Sequence, residues 1–154
     1  MATQNLIQYL EAGTSAVMNR SKHEYFLAGG TITKGQVVAL DLTQSDADRA
    51  LYVVPADSDA TTTVVAVGIA IEAAASGEKV KVCIAGYCEG AVVSTATAQG
   101  DMLQLGSTAG QLEVRTLSVD EAGSATFNLF PIVAQALEAD TAGLADVFVF
   151  SQFS

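Results

Sequence analysis

The sequence predicts a mainly β protein: a single compact β-barrel or sandwich-like domain with an extended N-terminal arm and at most one or two short helices. Three observations predict it. Apolar residues recur with period two in short runs, most clearly Val65, Val67, Ile69 and Ile71 against Ala66, Gly68 and Ala70. Glycine-bearing turns punctuate these runs, with Gly35, Gly106 and Gly110 among them. No amphipathic helical pattern longer than about ten residues is visible.

The bulk properties fit this class. A chain of 154 residues and 15.8 kDa suits one domain. Folding at this size hides roughly 68–70% of the unfolded surface, so a core needs no disulfide or metal. Half the residues are hydrophobic and tryptophan is absent. Much of that half is Ala and Val, which suits thin β-layers.

Taken in order, residues 1–27 form the expected arm and residues 28–154 the β-rich domain. The first stretch is polar and aromatic, with Tyr9, Met18, Arg20, His23, Tyr25 and Phe26. It reads as an extended segment that docks onto something, with a short strand at HEYFLA. Two strands follow, TIT and QVVAL, separated by Lys34-Gly35, a dipeptide whose glycine can take positive φ. LTQSDADRA is a polar loop. ALYVVPA is a strand stopped by Pro55, which cannot continue a central ladder. The alternating run from Val65 predicts one large-residue face and one small-residue face. EAAASGEK is short enough to be a loop rather than a helix, and KVKVCIA is the next strand. GDMLQLGSTAGQLEVRTL reads as two short strands around Gly106 and Gly110. A loop and a strand ended by Pro131 come next, and VFVF closes the chain with Val147 and Val149 alternating against Phe148 and Phe150.

One internal echo stands out. At an offset of 66 residues Ala70 matches Ala136, Ile71 matches Leu137, Glu72 matches Glu138 and Gly77 matches Gly143. Each unit reads as a small-residue strand, a Glu, a loop with glycine and an exit strand. Two copies are too few for a solenoid and fit two similar β-units in one barrel or sandwich.

Charge excludes several function classes. Seven basic against seventeen acidic residues give a net charge of -10. Nucleic acid as the main partner would require cations at phosphates, and an anionic membrane surface is disfavoured for the same reason. No run approaches the roughly 20 apolar residues of a membrane-spanning helix. The N-terminal residues lack the basic and apolar regions of a secretory signal, so a cytosolic site of synthesis or assembly is expected.

Candidate chemistry is sparse. His23 is the sole histidine; it is either a general base or an exposed arm residue, and the second reading is simpler. Lys34 precedes its glycine and β text follows, so the phosphate-cradle pattern is not met, and Lys34-Gly35 reads as a turn. Cys83 and Cys88, four residues apart in between, lack metal-site spacing. A disulfide would require their two segments to face each other; buried thiols in a reduced compartment are the simpler reading. QSDADRA has alternating acids but lacks the glycine and glutamate of a calcium loop. Glu72 and Glu138 could be imagined as a glycosidase pair, but the repeat explains them. No cofactor and no metal are expected.

Four stretches, "AGGTITKGQVVALD", "VVAVGIAIEAAASGEKVKVCIAGYCEG", "GDMLQLGSTAGQLEV" and "PIVAQALEADTAGLADVFVF", together resemble bacteriophage capsid decoration (cement) proteins over residues 28–150. The family is not enzymatic, so no catalytic residue carries over. The resemblance implies a homotrimer at three-fold or quasi-three-fold positions on the outer surface of the expanded shell, with the major capsid protein as partner, assembled in the host cytoplasm. Residues 1–27 are longer and more aromatic than that pattern. If such arms reach across a shell lattice, Asn5, Leu6, Ile7, Tyr9, Tyr25 and Phe26 are the expected docking residues. The competing readings are a tail, neck or head-fibre component of the virion, and a small-ligand β-barrel.

Overall fold

In a computed structural model, residues 21–59, 65–115, 118–119, 125–126 and 131–150 are described. The strands are β1 (Lys22–Ala28), β2 (Val37–Leu40), β3 (Tyr52–Pro55), β4 (Ala66–Ala70), β5 (Lys79–Val92), β6 (Met102–Leu105), β7 (Leu112–Val114), β8 (Ser118–Val119), β9 (Ala125–Thr126), β10 (Ala134–Ala136) and β11 (Leu144–Val149). A single 3-10 helix over Asp46–Ala50 is the helical element among the described residues. It forms inside the polar loop expected there. The expected mainly β fold is therefore what the chain adopts.

Five strands close into a barrel in the order β1-β3-β2-β4-β5, with β5 returning to pair with β1. Its interior is filled by Ala28, Val38, Val53, Val67, Val80, Val82 and Ile84. β5 is 14 residues long and overshoots this barrel. Gly86 and Gly90 take positive φ within it, which lets the strand bend away. Its second half starts another sheet, β5-β11-β10-β6-β7. That sheet curls until Val93, just past β5, meets Leu112 of β7 in a parallel bridge. A second ring of five strands thus lies outside the closed barrel and shares β5 with it.

The two rings have one topology. β1 pairs with β3 in parallel, as the end of β5 does with β7. The antiparallel pairs β3–β2, β2–β4 and β4–β5 recur as β7–β6, β6–β10 and β10–β11. The echo in the sequence is therefore structural, and it extends further than Ala70–Gly77. Gly35 donates its amide to the Ala70 carbonyl at 2.7 Å, and Gly100 donates to Ala136 at 2.9 Å. The Thr33 amide is held by the Gln36 side chain, and the Ala98 amide by the Asp101 side chain.

Two expectations change. The strand at TIT is only a single bridge between Ile32 and Ala74, because Lys34-Gly35 turns the chain before a ladder can form. The alternation from Val65 to Ile71 does not place Val67 and Ile69 on one face. Val67 joins the barrel interior, whereas Ile69 joins the cluster between the rings. Val38 pairs with Gly68 and Ala39 with Ala66, so one extra residue bulges there and flips the faces. Both faces of β4 are buried. The strand expected before Pro131 falls partly outside the described residues.

Candidate functional site

Asn5, Leu6, Ile7 and Tyr9 lie outside the described residues. Tyr25 and Phe26 stand on β1, inside the barrel wall rather than on a free arm. Tyr25 is exposed, with the Lys81 ammonium 5.9 Å from its ring centroid. Phe26 points the other way and packs on the barrel interior. The pairing of β1 with β5, from Lys22 to Leu27, fixes both positions.

The structure brings several sequence candidates together in one cavity of about 180 Å³, lined by Ser21, His23, Lys34, Ile71, Tyr87, Cys88 and Glu89. β1 supplies His23, Ser21 immediately precedes that strand, the turn before β2 supplies Lys34, the residue after β4 is Ile71, and the bent middle of β5 supplies Tyr87, Cys88 and Glu89. Ser21 donates its hydroxyl to the Tyr87 carbonyl at 2.5 Å. The Tyr87 hydroxyl donates to Asp146 Oδ2 at 2.5 Å, and the Gly90 amide donates to Asp146 Oδ1 at 3.0 Å. Asp146 thereby ties β11 to β5. Its hydrogen bond, then burial, pushes the Tyr87 hydroxyl pKa well up.

Burial, then the Lys81 charge, lowers the His23 pKa. Cys83 and Cys88 are both buried free thiols. A hydrogen bond between them, then burial, raises the Cys88 pKa, and the same hydrogen bond lowers that of Cys83. Both cysteines lie on β5, on either side of the Gly86 bend. The Cys83 thiol also donates weakly to the Tyr87 carbonyl at 3.6 Å.

Other candidates have structural roles. Glu72 accepts the Lys81 amide at 2.8 Å, and Glu138 accepts the Asp146 amide at 3.2 Å. Each carboxylate ties the loop end of its hairpin, β4–β5 or β10–β11. They do not share a site. Lys34-Gly35 turns the chain: Gly35 has φ +88, and a Cβ there would overlap the Gly90 carbonyl oxygen. Asp46 and Asp48 lie in the 3-10 helix, and no group of three His, Cys, Asp or Glu among the described residues could hold a metal.

Sequence reasoning missed a surface. Met102, Gln135 and Phe148 are cross-strand neighbours on the outside of the second ring. Met102 and Phe148 are exposed. The only signal was the large side chain alternating with Val147 and Val149, which marks a face but not whether it is covered.

No protein-family model matches this chain, and no curated protein matches it. Among solved structures, the N base of the head fiber gp8.5 of bacteriophage phi29 is similar, at 14% identity and a TM-score of 0.49. That match covers 84% of this chain and 94% of the other. A likeness of this size carries nothing for function, which rests on the residues.

Proposed function

We propose that this chain is a non-enzymatic structural component of a bacteriophage head, seated on the outer surface of the expanded shell as a decoration (cement) protein. The observation that carries the reading is what the family-like words do in three dimensions. Gly35 makes a turn, Gly68 permits close strand approach, and Glu72 and Glu138 close hairpins. The resemblance is thus carried by residues that build a double β-unit.

The physics suits this role. A shell packed with DNA is stressed outward, and a rigid body bridging several major capsid protein subunits adds interface that must break before the shell opens. Several linked copies bind multivalently, so weak contacts sum to a durable clamp. The resemblance implies three copies. The negative net charge keeps the protein off the packaged DNA. Residues preceding β1, with Asn5, Leu6, Ile7 and Tyr9, are the proposed capsid contact, and exposed Tyr25 continues it.

The test is co-sedimentation with undecorated expanded shells, counting bound copies per capsid subunit. Saturation at a fixed lattice ratio is expected. A sparse ratio would place the chain in a head fibre instead, and no binding to shells of the right phage would overturn the head reading.

A further inference from the structure

The two rings are built alike but are covered differently. In the first barrel, Val37, Ile69 and Cys83 form an outward row across β2, β4 and β5. All three are fully buried, in the cluster shared with the second ring. What covers this side is one end of the second ring. Its β6–β7 turn lies against β2, where Gly110 accepts the Val37 amide at 3.0 Å and donates to the Ala56 carbonyl at 2.7 Å. The Ser58 amide donates to the Gly106 carbonyl at 3.1 Å.

The matching row on the second ring is Met102, Gln135 and Phe148, at the equivalent ladder positions. There Met102 is 39% and Phe148 42% exposed. The matching end of the first barrel is the β2–β3 loop, which corresponds to the β6–β7 turn. It presents Leu42 and Leu51, 37% and 52% exposed, beside Val65, whose carbonyl accepts the Leu40 amide at 3.2 Å. The chain therefore carries one used copy of an end-on-side contact and both unused halves of a second. Exposed large apolar side chains concentrate on those halves, as expected of an interface awaiting its complement.

We infer that copies of this chain associate head to tail, the Leu42/Leu51 end of the first barrel in one copy seating on the Met102/Phe148 side of the second ring in the next. The contact is heterologous, because two different surfaces meet. Whether it closes into a ring follows from the rotation between copies, and the mass of the assembly reads the number. The like net charge of the copies opposes the contact, so added salt strengthens association. The inference holds whether or not the chain sits on a shell.

The experiment uses the full chain and two variants, Phe148→Asp and Leu51→Asp, in sedimentation equilibrium. Both side chains are exposed, so at dilutions where the parent is also monomeric thermal unfolding should match it, which excludes misfolding as the cause. The parent should form a discrete assembly, and each variant alone should associate about 30-fold more weakly or worse. Mixing the two variants should yield a one-to-one dimer, since each supplies the half that the other lacks. A monomeric parent would overturn the inference, as would a Leu51→Asp variant that assembles normally or a mixture that stays monomeric.

Discussion

The first barrel and the second ring share a strand order and a hydrogen-bond plan but few side chains. What recurs are residues with backbone duties. Gly35 and Gly100 turn the chain at positive φ, as Gly77 and Gly143 do in the hairpins. Glu72 and Glu138 clamp those hairpins. What differs are the outward rows and the loops. Val37, Ile69 and Cys83 become Met102, Gln135 and Phe148, and the short turn Gly106–Gly110 stands where the first barrel has the long loop from Asp41 to Leu51. The lesson is that topology here is held by turn chemistry and backbone satisfaction, while the side faces are free to specialise.

The largest break in the parallel should come at Gly68. Its counterpart in the second ring is Ala134, so an alanine is tolerated there. At Gly68 a Cβ would overlap the Cys83 carbonyl oxygen and lie 2.9 Å from Val82. Gly68→Ala should cost about 3 kcal/mol through overpacking, read by urea unfolding. Ala134→Gly should cost only about 1 kcal/mol. Equal losses would mean that the two hairpins pack alike after all.

Core truncation should come next. Leu103 and Val38 are equivalent and fully buried. Leu103→Ala should lose about 3 kcal/mol by cavity formation, with Val38→Ala losing less because fewer atoms go. One cooperative transition for both variants would show that the shared β5 couples the rings; two separate transitions would show that it does not.

Removing the hairpin clamps is a smaller change. Glu72→Ala and Glu138→Ala should each cost about 1 kcal/mol, as for a single hydrogen bond that solvent can partly replace. Near-equal values sharpen the equivalence. A silent Glu138→Ala would weaken it.

The smallest effect is pH-dependent and belongs to the first barrel alone. Asp41 follows β2 where Gly106 follows β6. Burial works to raise its carboxyl pKa, but hydrogen bonds from the Thr43 and Gln44 side chains and the Thr43 amide outweigh it and hold the pKa below 3.8. A lowered folded pKa contributes stability that is present above the unfolded value and lost as pH falls through the folded one. Asp41→Asn should therefore be less stable than the parent at neutral pH, with the gap narrowing below about pH 3.8. A gap that stays constant from pH 7 to pH 2 would remove Asp41 as its source.

Much of this molecule is set by local sequence. The strands at QVVAL, YVVP and KVKVCIA, the turns at Gly35 and Gly110, and the Glu72/Glu138 echo were legible because period-two patterning and positive φ are properties of a few adjacent residues. Tertiary structure alone decided the rest. The bulge at Val67-Gly68, which splits the alternating run between two cores, depends on the register with Val38 and Ala39. The gathering of His23, Lys34 and Cys88 around one cavity depends on the bend of β5. Above all, only packing decides that Val37, Ile69 and Cys83 are covered while Met102 and Phe148 are exposed. Alternation tells which side chains share a face, but burial is a property of what lies opposite, and that is fixed by contacts between residues far apart in the chain.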